Sequence, residues 1–216
     1  MSDYKDRNDV ARAGGVTGKR DLITGSSMLR WLAEGKIISA GLGCEETAID
    51  SAAALADVSP TFGIFAPSNS DIKILPIYAR MSMTGEGGAA PVIQAAFTKA
   101  AANCATAMTR SGTALSKQNN NAAYIGVGDV VALHTVTVSA LTTADYLSMV
   151  EATVVDNSIS VAGANLVNTH VDFDFLKAPI LLSAGAGLLF YAYTGTTDST
   201  WIPYIVWAQL TADDLY

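Results

Sequence analysis

The sequence predicts an all-β protein: a jelly-roll-type antiparallel β-sandwich with an extended N-terminal arm and one short helix. Three observations lead there. Apolar residues recur with a period of two in successive short segments. Gly, Pro, Asn and Asp punctuate those segments at turn spacing. Half of the 216 residues are apolar and only 15% are charged, which supplies a large core and argues against extended disorder. Eighteen glycines and thirty-five alanines make many of the apolar residues small, which suits close sheet packing.

The chain divides into an arm, residues 1–25, and a sandwich domain, residues 26–216. In the arm, "RNDVARAGGVTGKRD" alternates charge with Gly and Ala without a period. Such a segment cannot bury enough apolar surface to order itself, so it is expected to order against a neighbouring subunit. Arg7, Arg12, Lys19 and Arg20 are its candidate contacts. Residues 1–30 carry a net charge of +2, against −7 for the whole chain. That overall balance argues against general nucleic-acid binding. The polar start "MSDYKDRNDV" holds no signal-peptide core. Uninterrupted apolar runs stay well short of the roughly 20 residues a membrane-spanning helix needs.

The helix comes first. In "SSMLRWLAEGK", Ser26 or Ser27 is placed to cap it, Met28, Trp31 and Leu32 share a face, and Gly35 suits the left-handed position after it. From Lys36 the period shifts toward two. "PTFGIFAPSNSD" reads as a short strand between Pro60 and Pro67. In "IKILPIYARMSM", Leu75, Ile77, Ala79, Met81 and Met83 fall on one face, with Tyr78, Arg80 and Ser82 on the other. "VVALHTVTVSAL" is rich in β-branched residues. "NLVNTHVDFDFL" puts Val167, Val171, Phe173 and Phe175 on one face and Asn168, His170, Asp172 and Asp174 on the other. "EETAIDSAAALADV" and "PVIQAAFTKAAANCATAM" have the alanine content of helices; the strand density around the second favours a strand there.

The closing stretch "APILLSAGAGLLFYAYTGTTDSTWIPYIVWAQL" reads as a strand "PILLS", a turn, the strand "LLFYAYTG", a hairpin loop "TTDST" and a last strand. Pro203 has no N–H for a ladder, so it predicts an edge or a bulge. Strands 188–194 and 201–210 are apolar on both faces, which predicts that another subunit covers one of them. Phe190, Tyr191, Tyr193, Trp201, Tyr204 and Trp207 are the candidate interface and core residues, and a homotrimer is the expected assembly.

Few residues arrange themselves for chemistry. His170, Asp172 and Asp174 share a strand face at about 6.5–7 Å spacing and are candidate metal ligands. A polar strand face accounts for them more simply, so no metal, cofactor or catalytic residue is expected. His134 sits among β-branched residues as a sheet histidine. Gly126-Val127-Gly128-Asp129 lacks the third glycine and following helix of a phosphate loop and reads as a turn. "SGTALSK" and "KQNNNAAY" read as polar loops. Trp31, Trp201 and Trp207 could stack on sugars, but sandwich cores use tryptophan in the same way.

Three segments carry a resemblance: "EGKIISAGLG", "PTFGIFAPSNSDIKILPIYARMSMTGEGGAAPVIQAAF" and the closing stretch from Ala178. Over residues 34–210 the chain resembles jelly-roll structural proteins of tailed bacteriophages. It departs from their pattern in ending on Ala208-Gln209-Leu210 and an acidic tail. The resemblance implies a non-enzymatic virion protein, a capsid decoration, cement or minor coat subunit made in the host cytoplasm and contacting other capsid proteins. The alternative is a carbohydrate- or receptor-binding jelly-roll module of a phage tail.

Cys44 and Cys104 lie far apart, without metal-ligand or redox spacing. Both thiols are expected free, so non-reducing mass spectrometry should give the fully reduced mass. A deficit of two hydrogens would contradict this.

Overall fold

A computed structural model describes residues 25–42, 48–68, 71–85, 91–153, 170–194 and 199–215. The arm, with Arg7, Arg12, Lys19 and Arg20, lies outside the described residues, as do Cys44, Val167 and Asn168. Two antiparallel sheets face each other across an apolar interior, as the alternating pattern predicts. Sheet II is seeded by β1 (Ile37–Gly41), β2 (Ile49–Asp50) and the long β4 (Lys73–Gly85). β7 (Ser116–Asn119), β10 (His170–Asp174) and β12 (Thr200–Leu210) complete it. Its order is β10-β4-β12-β1-β7, with β2 also paired to β12. Sheet I takes β3 (Phe62–Phe65), β5 (Val92–Thr98), β6 (Arg110–Ala114), β8 (Val131–Val138), β9 (Tyr146–Thr153) and β11 (Gly187–Tyr193). Its order is β9-β5-β11-β3-β8-β6.

The interior is aromatic. Phe62 of β3 stacks on Phe190 of β11 with ring centroids 4.2 Å apart. From the opposite sheet Phe173 meets Phe190 edge-on at 5.5 Å, and Phe175, in the helical turn just after β10, meets Phe97 at 5.4 Å. Trp201, Ile205 and Trp207 of β12 fill the same core. Chain continuity closes one side: Arg110–Ala114 ends sheet I and Ser116–Asn119 ends sheet II, with Leu115 buried at the corner between them. The segments expected as polar loops, "SGTALSK" and the start of "KQNNNAAY", are therefore strands. Their polar side chains face solvent at sheet edges, which hid the period.

The strand that is apolar on both faces is covered from within the chain. β11 sends Leu188, Phe190 and Ala192 into the interior and Leu189 and Tyr191 into a second cluster on the outer face of sheet I. The chain's own Cys104, Met108 and Leu141 cover that cluster. Asp145 pins the covering loops: its carboxylate accepts from Thr142 N at 2.7 Å and Ala105 N at 2.6 Å. Those bonds hold its carboxyl below the usual range. The expectation that another subunit covers these strands does not follow from their two-sided apolarity.

The outer face of sheet II is half covered by α1 (Gly25–Ala33), whose Trp31 packs with Ile37, Leu75, Ile77, Ala208 and Leu210. Leu75 and Ile77 thus leave the face they were expected to share with Ala79, Met81 and Met83. The register skips a residue between Pro76 and Tyr78. This bulge flips the alternation, so Ile74 and Ala79 enter the interior while Leu75 and Ile77 meet the helix. The helix ends as expected. Gly35 has φ +70°, Lys36 N donates to Trp31 O at 2.8 Å, and Gly35 N donates to Leu32 O at 3.1 Å. Ser26 and Ser27 fall inside its first turn rather than at a cap. After β12 the acidic tail forms α2 (Ala212–Leu215), and Lys36 Nζ pairs with Asp214.

Smaller differences have local causes. "PILLS" contributes only the bridge Leu182 to Ile74, and β11 and β12 lie in different sheets, so their connection is a crossing and not a hairpin. Pro203 occupies neither an edge nor a bulge. It pairs with Met81 of β4 on one side, and on the other it falls in the gap where the partner of β12 changes from β2 to β1. Of the two alanine-rich segments, the second forms β5 and the first holds only β2 among its described residues. No helix among the described residues is long and apolar enough to cross a membrane.

Phe190→Ala removes the fully buried ring shared by three aromatic contacts. Chemical denaturation should show a loss of about 3–5 kcal/mol; a loss under about 1 kcal/mol would contradict this core.

Candidate functional site

The bulge at Ile77 brings α1 over one end of sheet II, and the remaining outer face is open. Antiparallel register lines up its side chains in rows. One row runs Asp172, Arg80, Tyr204, Gly41 and Ser116; the next runs Asp174, Tyr78, Val206, Ser39 and Gln118. His170 stands opposite Ser82, and Ser82 opposite Ile202. The outward parity expected of His170, Asp172 and Asp174, and of Tyr78, Arg80 and Ser82, holds here.

The β10 end of this face is an ion-pair cluster. Arg80 Nε and Nη2 donate to the two oxygens of Asp172 at 2.7 and 3.0 Å, and Tyr78 OH donates to Asp172 Oδ1 at 2.6 Å. His170 Nε2 lies 3.4 Å from Asp172 Oδ2. The Arg80 hydrogen bonds, ahead of the one from Tyr78, hold the Asp172 carboxyl below the usual carboxylate range. Burial and the Asp172 carboxylate together push the Tyr78 hydroxyl up. A metal at His170, Asp172 and Asp174 would have to displace Arg80. Asp174 is engaged as well, accepting from Leu176 N at 3.1 Å. Among the described residues no group of three His, Cys, Asp or Glu is placed to hold a metal ion.

The β7 end is uncharged. Tyr204, Gly41, Ser39, Ser116 and Gln118 border a cavity of about 330 Å³. A larger one, about 410 Å³, opens between β9 and β10 and is lined by Phe97, Val150, Phe173, Phe175 and Ile180.

The aromatic residues expected at core or interface separate. Phe190, Trp201 and Trp207 are fully buried in the interior, Tyr191 is buried in the outer cluster, and Tyr193 is partly buried against it. Tyr204 is 41% exposed. Trp31 lies under the helix, and Trp201 Nε1 donates to Ser199 Oγ at 2.7 Å. His134 Nδ1 lies 3.1 Å from Thr135 Oγ1. Around Gly126–Asp129 the backbone presents carbonyls to a cation: Lys117 Nζ donates to Gly128 O and Val130 O at 3.0 and 2.7 Å. That is the reverse of a phosphate cradle, in which N–H groups point inward.

Alternation along β10 puts His170 and Asp172 on one face, but nothing within β10 brings Arg80 and Tyr78 to them. Their outward parity was visible; the pairing of β4 with β10, which creates the contact, was not. No protein-family model, no curated protein and no solved structure matches this chain.

Because the folded-state pKa of Asp172 is depressed, its pairing stabilises above the usual carboxylate pKa. That contribution is lost as pH falls through the depressed value. Arg80→Leu should raise the Asp172 carboxyl toward about 3.9 in a carbon-detected NMR titration. An unchanged titration would contradict the pairing.

Proposed function

We propose that this chain is a non-enzymatic structural subunit of a bacteriophage virion. In this reading it is a capsid decoration, cement or minor coat protein that assembles as a homotrimer beside other capsid proteins. The strand order carries the reading. Setting aside β2 and the inserted β6–β8, the eight remaining strands pair from the outside inward. β1 bonds β12, β3 bonds β11, β4 bonds β10 and β5 bonds β9. Nested first-with-last pairing is one long hairpin ribbon rolled into two sheets, the winding of a jelly roll. That architecture recurs in viral capsid and lectin domains. Topology alone does not assign a function; the phage-like sequence segments supply the rest of the support.

The free edges favour one place for subunit contact. β6 carries Arg110, β7 carries Lys117, and β10 carries His170, Asp172 and Asp174, all of which discourage edge pairing. β9 also carries one charge, Glu151, but it alone among the described edge strands exposes large apolar residues, Leu147, Met149 and Val150 at 55%, 42% and 45%. In this reading a second copy covers β9, and the basic arm straps a neighbour through Arg7, Arg12, Lys19 and Arg20.

Native mass spectrometry of the full chain at micromolar concentration should show three 22.5 kDa subunits, and the chain should co-sediment with capsids. Leu147→Asp with Met149→Asp should return the monomer with unchanged circular dichroism. A wild-type monomer that leaves capsids bare would overturn the reading.

A further inference from the structure

We infer that the cavity beside Tyr204 is a binding site for one neutral sugar unit of a glycan. The inference stands apart from the assembly reading, because the site lies on the open face of sheet II and uses none of the β9 edge.

Tyr204 is the anomaly on its strand. Its aromatic neighbours Trp201 and Trp207 are fully buried, whereas Tyr204 stands on the outer face, 41% exposed. Across the ladder it meets Gly41, where a Cβ would come within 3.3 Å of Tyr204 Cδ2 and 3.0 Å of Pro203 O. The absent side chain lets the ring lie close against the β1 backbone, at the edge of the cavity. One strand further on, Ser116 and Gln118 are exposed on the same face. Two strand spacings separate Tyr204 from Ser116, about 10 Å of backbone, room for a single six-membered ring flanked by hydrogen-bonding groups. The cavity, about 330 Å³, lies at the small end of ligand pockets, roughly 300–1,000 Å³.

The free polar groups select the ligand. The Tyr204 hydroxyl, the Ser116 hydroxyl and the Gln118 amide make no side-chain hydrogen bond to described residues, although neighbouring groups are fully committed. Lys117 is engaged by two backbone carbonyls, Asn119 by Gly35 O and Gly126 O, and Ser39 by Asn120. Arg80, next in the row beyond Tyr204, is held by Asp172. No charged side chain lines the cavity, so it offers neither a cation for an anionic ligand nor carboxylates for a metal. A wholly apolar ligand would strip water from Gln118 and Ser116 without replacing its bonds. A pyranose fits all of these conditions. Its C–H face lies on an aromatic ring, and its hydroxyls both donate and accept, as do amide and hydroxyl side chains.

The test is calorimetric titration of the full chain with four neutral tetrasaccharides, built from glucose, galactose, mannose and N-acetylglucosamine. Saturable one-site binding of at least one is expected. Tyr204→Ala should weaken it about tenfold or more, Gln118→Ala should weaken it less, and Tyr204→Phe should keep most of it because the ring remains. Melting temperatures should stay unchanged, since both side chains are exposed. Absence of saturable binding to all four, or wild-type affinity in Tyr204→Ala, would overturn the inference.

Discussion

The fold depends on one constraint: β11 is apolar on both faces, so both faces must be covered. Six of its seven residues are buried. Its backbone is satisfied by β3 on one side and β5 on the other. One face is sealed by the opposing sheet, through Phe173 and Phe175 against Phe190. The other is sealed by the segment between β5 and β9, which supplies Cys104, Met108 and Leu141. That segment also supplies β6, β7 and β8, which close one side of the sandwich. A single insertion thus seals the centre of sheet I and joins the two sheets.

Sheet II solves the same problem only halfway. Its outer apolar residues are gathered at one end by the Ile77 bulge, and Trp31 covers them from α1. Without the bulge, Leu75 and Ile77 would point into the interior, and the helix would be left with only Ile37, Ala208 and Leu210 to cover. The uncovered half carries instead the paired Arg80 and Asp172 and, further along the same row, Tyr204, Gly41 and Ser116. The open polar face follows from where the helix stops, and the helix stops where Gly35 adopts φ +70°. The ring of Tyr124 packs at Gly35, where a Cβ would come within 2.5 Å of its Cγ.

Much of this was legible in the residues themselves. The two-residue period placed Phe173 inside and Asp172 outside, and the α1 face and its glycine stop followed from local chemistry alone. What stayed hidden depends on which strand lies next to which. Two-sided apolarity in β11 says that both faces are buried but not by what, and a distant loop of the same chain satisfied it as well as a subunit could. Leu75 and Ile77 were misplaced because a bulge is set by the partner strand's register, which β4 alone does not encode. Residues 111–119 looked like loop because both faces of these edge strands carry polar or small side chains, so no apolar period shows apart from Leu115 at the corner. Tyr204 was grouped with Trp201 and Trp207 by its aromaticity, while its position in the alternation sets it apart from them.

In this structure the chain covers its own double-faced core. Hydrogen–deuterium exchange of the full chain, compared between nanomolar and high micromolar concentration, tests it most directly. Amides of Gly187–Tyr193 and of β12 should exchange slowest at both concentrations, at the rate of global unfolding, because no second copy is needed to bury them. Protection of β11 that vanishes on dilution while the outer strands stay folded would contradict the claim. It would return the covering of sheet I to a neighbouring subunit.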